Sequence, residues 1–126
     1  MIIIDSSGWI EFFGDGTNAE KFAEFIKKAT KETHVTPSII VYEVYKRISI
    51  LFGEEKANEA IAYIIGYTYI VFLDDLIAVA AAGISKQHTL GMADAIIKAT
   101  AETCGAKIIT SDPDLKEVGN VVFIPK

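Results

Sequence analysis

"GMADAIIKATAETCGAKIIT", Gly91 to Thr110, decides the fold. Met92, Ala93, Ile96, Ile97 and Thr100 recur at helical spacing, which predicts a helix from about Met92 to Cys104. Gly105 is its C-terminal stop, because a glycine adopts the left-handed cap without penalty. "AKIIT" then reads as a strand. A helix feeding at once into a β-branched strand is half of an α/β unit. Asp94 sits beside the apolar stripe, in a chain that is 51% hydrophobic.

Outward from this stretch the same alternation repeats. "MIII" reads as a strand, and Asp5-Ser6-Ser7 leads from it into "GWIEFF", a short helix. "DGTNAEKFAEFIKKA" is a helix with a capping-box signature at Thr17 and Glu20. "HVT" is a strand. "PSIIVYEVYKRISILFG" is a helix that starts at Pro37 or Ser38 and ends at Gly53. "EEKANEAIAYIIG" is a helix closed by Gly66, "YTYIVFL" a strand, and "DDLIAVAAAGISKQH" a helix capped by Asp74 or Asp75. After "AKIIT" come "SDPDLKEVG", a turn with one helical turn, and "VVFI", a last strand. This order predicts a three-layer α/β/α sandwich with a mostly parallel central sheet. The strands lack polar alternation, as expected when helices cover both faces. The 126 residues suit one domain, 1–126.

Composition narrows the function. No apolar run reaches the ~18–20 residues of a membrane span. The N-terminus lacks the charged region and cleavage site of a signal peptide. Cys104 is the only cysteine, so no internal disulfide is possible, and a cytoplasmic location is expected. Two distant histidines, 34 and 88, rule out a Cys/His zinc site. A net charge of −5 argues against a passive nucleic-acid coat. Acids that hold metal ions escape that objection, because bound cations invert the local charge.

Carboxylates follow several strands: Asp5 after "III", Glu43 two turns into the helix after "HVT", Asp74 and Asp75 after "IVFL", and Asp112 and Asp114 after "IIT". Strands of a parallel sheet end on one side, where ligands bind at the reversal of strand order. Asp94 opens its helix and can point at the same edge. Plain structural uses compete: Asp5 and Asp112 as N-caps, Asp94 as a helix-dipole partner, Glu43 paired with Arg47 one turn on. Caps do not explain Glu43, the only acid between Ser38 and Phe52. Like carboxylates raise one another's pKa unless a cation lies among them. An all-oxygen cluster suits Mg²⁺ or Mn²⁺.

With these motifs in order, the sequence resembles the PIN-domain ribonucleases, particularly the toxin half of VapBC toxin–antitoxin pairs. Ile2 to Ser7 matches the family's opening motif, "TPSIIVYEV" its second block, and "LGMADAIIKATAETCGAKIITSDPDL" its third and fourth. The resemblance implies an active-site and metal-binding quartet at Asp5, Glu43, Asp94 and Asp112. It makes Asp114 an accessory candidate and gives the hydroxyls of Ser6 and Thr110 an orienting role. It implies a metal-dependent endoribonuclease that uses Mg²⁺ or Mn²⁺, forms a homodimer and is blocked by a VapB-like antitoxin. Leu115 stands where the family often has Phe. Arg47 is the only arginine, which weakens Arg-mediated phosphate gripping. Lys46, Arg47, Lys86 and Lys98 are the basic residues nearest the motifs and the RNA-binding candidates. Two other readings fit the pattern: a receiver-like phosphoacceptor domain using Asp74, and a catalytically silent PIN-fold binding module.

Overall fold

Three successive isoleucines form β1 (Ile2–Ile4). Neighbouring strand residues face opposite sides of a sheet, yet Ile3 and Ile4 are both buried. Both faces of β1 are therefore covered. The same holds for Ile108 and Ile109 in β4 (Lys107–Thr110). The computed structural model describes residues 1–126. Between β1 and β4 lie α1 (Ser6–Phe13), α2 (Ala19–Ile26), β2 (Val35–Pro37), α3 (Ser38–Phe52), α4 (Glu54–Tyr67), β3 (Tyr69–Val71), α5 (Asp75–His88) and α6 (Met92–Cys104). A single 3₁₀ turn, Pro113–Leu115, and β5 (Val121–Phe123) follow.

Every strand pairing is parallel: β1 with β4, β4 with β5, and β2 with β3. A lone parallel bridge between Ile2 and His34 links the two sets and gives the order β3-β2-β1-β4-β5. The order reverses between β1 and β4. That crevice, at the carboxyl ends of the strands, is where such sheets bind ligands.

The main core joins Ile3, Ile4, Ile108 and Ile109 of the sheet to Trp9, Phe22, Ile40, Val44, Ile48 and Ile64 of the helices. Each such side chain contributes about 1.5–3 kcal/mol by leaving water. Ile77, Ala81, Ala95, Ile96 and Ala99 form a second cluster between α5 and α6. Gly8 lets α1 lie close to its neighbours: a Cβ there would stand 2.6 Å from Phe22 and 2.7 Å from Ile4.

Some local expectations need correction. Thr17 does not cap α2. The helix starts at Ala19, and Glu11 Oε1 accepts the Asn18 backbone N–H at 2.8 Å. A carboxylate from the preceding helix thus replaces the local capping box. Gly66 does not end α4, which runs to Tyr67. Thr68 follows, its hydroxyl donating to the Ile64 carbonyl at 2.7 Å. β3 is also shorter than "YTYIVFL" suggested. Of Asp74 and Asp75, Asp74 is the cap of α5, accepting the Ile77 N–H at 2.8 Å, and Asp75 is the first residue of the helix. Gly105 ends α6 with φ +62°, as its position predicted.

Candidate active site

Asp5 is the first residue past β1, and Thr110 is the last of β4. Adjacent parallel strands bring their ends together. The Asp5 carboxylate does not cap α1. Its Oδ2 accepts hydrogen bonds from Thr110 Oγ1 at 2.8 Å and from Ser7 Oγ at 2.9 Å. The hydroxyls are held in turn. Thr110 Oγ1 accepts the Asp112 N–H at 2.9 Å, and Ser7 Oγ accepts the Ser111 N–H at 3.0 Å. Asp5 is only 3% exposed, so this lattice fixes it at the floor of the crevice.

Ser7 carries a role that sequence reasoning assigned only to Ser6. The signal was present in Asp-Ser-Ser. One turn of α1 decides which hydroxyl reaches Asp5, and Ser7 does. Ser6 lies on the Glu43 side instead, and both line the same cleft.

Glu43 reaches the crevice from the second turn of α3. It forms no ion pair with Arg47, because the only ion pair in the molecule is Lys98–Glu102. Its Oε1 is buried without a hydrogen-bond partner. Asp94 comes from the first turn of α6, and Asp112 follows β4. Asp112 also caps the 3₁₀ turn, accepting the Asp114 N–H at 2.9 Å. Oxygens of Asp94, Asp112 and Asp114 all lie within 4.8 Å of one another. Asp114, read as accessory, is thus as close to this cluster as its two partners, although it is exposed.

The electrostatics follow from this crowding. Burial raises the Asp5 pKa, and the nearby Asp112 charge adds to the rise; hydrogen bonds from Thr110, Ser7 and Ser6 oppose it. Burial also raises Glu43, with the charges of Asp5 and Asp112 pushing the same way and Ser6 opposing. Asp94 is pushed up to about 7 by burial first, then by Asp112, Asp5 and Asp114. No positive side chain offsets these effects. Buried orphan oxygens and mutually repelling carboxylates are costly alone, and a divalent cation relieves both. The donor set, oxygen throughout, fits Mg²⁺ or Mn²⁺.

A cleft of about 660 Å³ opens over the crevice. Asp5, Ser6, Glu43 and Asp112 line it, and so do Lys46, Arg47 and Lys126. Asp94 and Asp114 join the acids without forming the cleft wall. Lys46 lies 5.8 Å from the centre of the Tyr42 ring. Lys86 and Lys98 are not brought to the cleft. Lys86 lies near the end of α5. Lys98 pairs with Glu102 at 2.6 Å and borders a separate hollow beside Gly105 and Asn120. Closeness in sequence misled because Lys98, although on the same side of α6 as Asp94, lies one turn, about 6 Å, further along the helix and away from the strand ends. Asp74 follows β3, the edge of the strand order, two strands from the crevice.

A PIN domain family model matches residues 2–121. No curated protein matches the sequence closely enough to count as a relative. Several solved structures share the fold. Mycobacterium tuberculosis VapC20, described as a sarcin-ricin-loop-cleaving toxin, superposes with a TM-score of 0.83 at 14% identity over 100% of both chains. A toxin–antitoxin complex from Klebsiella pneumoniae contains a chain matching at TM-score 0.78 and 21% identity, covering 97% of this chain and 96% of that one. A DNA-bound VapBC complex from Salmonella typhimurium matches at TM-score 0.73 and 13% identity, covering 99% and 98%.

Proposed function

The chain belongs to the PIN domain family, and from that premise we propose that residues 1–126 form one divalent-metal-dependent endoribonuclease domain, the toxin of a toxin–antitoxin pair. The observation that carries this reading is the convergence of Asp5, Glu43, Asp94 and Asp112 at the β1/β4 crevice, with no cation of the protein's own among them. Asp5, Asp94 and Asp112 would hold the ion directly, and Glu43 through a water. When bound, Mg²⁺ or Mn²⁺ polarises a phosphate oxygen and lowers the pKa of water. Thr110 and Ser7 fix the Asp5 carboxylate, so the site needs little rearrangement. Glu43, which lines the cleft, can take a proton from a water aligned with the scissile bond. Lys46 and Arg47, one turn beyond Glu43 and free of ion pairs, face the RNA backbone from α3. No side chain need attack the phosphate.

The similarity to VapC20 and to VapBC complexes supports a toxin that pairs with a VapB-like antitoxin. Large exposed apolar side chains support partner surfaces, including a homodimer. Tyr42, Ile50 and Leu51 lie on α3, Tyr67 on α4, and Phe72 and Leu76 around the start of α5. Of these, Tyr42, Ile50 and Leu51 lie together along the cleft, and a contiguous apolar patch marks an interaction surface. No helix is long and apolar enough to cross a membrane. The receiver reading finds no support, since Asp74 is occupied as a cap. A silent binding module is disfavoured by the complete acid set.

The test is cleavage of assorted RNAs with Mn²⁺ or Mg²⁺, repeated with EDTA and with Asp94→Asn. Metal-dependent cleavage lost on substitution is expected. Cleavage indifferent to both changes sinks the proposal.

A further inference from the structure

Lys126 was not among the candidate RNA contacts, yet it lines the cleft. It stands there because buried polar groups hold the preceding residues. The Ile124 N–H donates to the Thr110 carbonyl at 2.8 Å, continuing the β4 pairing past β5. Ser111 Oγ donates to the Ile124 carbonyl at 2.6 Å. Asn18 Nδ2 donates to the Pro125 carbonyl at 2.9 Å. Ser111 is 3% exposed and Asn18 4%. Two buried side chains thus spend hydrogen bonds on the two carbonyls before Lys126. Asn18 forgoes its own helix cap to do so.

The placement complements the rest of the cleft. Lys46 and Arg47 come from the helix after β2, and Lys126 from the segment after β5. In strand order these flank the β1/β4 crevice on opposite sides. None of the three is in an ion pair, so their charges are free for an external anion. Phosphates repeat along RNA, and a strand crossing the crevice meets both sides. Resting on the ribonuclease reading, we propose that Lys126 is a phosphate-contacting residue that grips the RNA backbone across the acid cluster from Lys46 and Arg47.

The experiment measures binding of a labelled single-stranded RNA against salt concentration, by wild type and Lys126→Gln, with Ca²⁺ in place of Mn²⁺ so that the acid cluster is neutralised, under conditions where no cleavage is detected. The variant is expected to bind roughly three- to tenfold more weakly, with a log–log salt slope shallower by about 0.7. Lys126→Arg should restore both. Lys107→Gln, at the start of β4 and so at the opposite end of the strands from the crevice, is the control and should leave the salt slope unchanged. With Mn²⁺ present, Lys126→Gln should raise KM and leave kcat and the Mn²⁺-induced rise in Tm unaltered. Equal affinity and slope in wild type and Lys126→Gln overturn the proposal while leaving the nuclease reading standing if wild type still cuts RNA. Wild type that neither binds nor cuts RNA overturns both.

Discussion

Replacing Asp94 by Asn should stabilise the metal-free protein. Asp94 is pushed from 3.8 to about 7, by burial and by three neighbouring carboxylates. At 1.36 kcal/mol per pH unit this is about 4 kcal/mol of cost to the ionised folded state. Asp94 is only half-buried, and solvent screening reduces the expected effect to about 1–2 kcal/mol. The sign follows from linkage. The folded state keeps its proton to a higher pH than the unfolded chain. Stability therefore falls as pH rises from about 4 to about 7 and is level above. Asn carries no such cost, so in EDTA at pH 8 the variant should melt roughly 3–10 °C higher than wild type. Below pH 4 the two should converge. Saturating Mn²⁺ should reverse the order, because a ligand at 100 times its Kd adds about 2.7 kcal/mol to the form that binds it. Differential scanning calorimetry across pH, with EDTA and with Mn²⁺, reads all of this. If Asp94→Asn instead lowers Tm in EDTA at pH 8, Asp94 serves as an ordinary partner of the helix dipole and the crowded-site reasoning is wrong.

Further outcomes follow from the same geometry. Thr110→Val removes a donor to Asp5 and the acceptor of the Asp112 N–H. It should weaken Mn²⁺ binding by roughly 10–100-fold, measured by calorimetric titration; unchanged affinity would show that Asp5 needs no orientation. Mn²⁺ affinity should rise with pH up to about 7 and then level off, since Asp94 must lose its proton to serve as a ligand. An affinity flat between pH 5 and 8 contradicts this. Gly8→Ala drives a methyl into Phe22 and Ile4 and should cost about 1–3 kcal/mol in urea unfolding. A neutral result would mean that α1 shifts freely over the sheet.

The layer order was legible because buried parallel strands and capped helices leave strong local marks. "III" and "KIIT" are apolar on both faces, and Gly105 ends α6 where its φ of +62° is required. The local marks failed where a distant group did the capping. Thr17 and Glu20 form a fair capping box, but the acceptor at that helix start comes from Glu11 in the preceding helix. The acid set was visible as carboxylates after strands. Which hydroxyl supports Asp5 was not, because Ser6 and Ser7 differ only in the direction α1 gives them. Lys98 looked close to Asp94, yet it sits one turn further down α6, where it pairs with Glu102. Lys126 looked remote, yet the β4–β5 pairing brings it into the cleft. The pairing of β4 with β5 is long-range, and no local pattern encodes it.

We propose that divalent-ion binding at Asp5, Glu43, Asp94 and Asp112 supports RNA hydrolysis. Its most direct test is a Mn²⁺ titration that follows cleavage of an end-labelled RNA and the Tm of the same protein. Coincident midpoints for activation and stabilisation are expected, with loss of both in Asp5→Asn. Cleavage that persists in EDTA, or in Asp5→Asn without any metal-induced stabilisation, contradicts it.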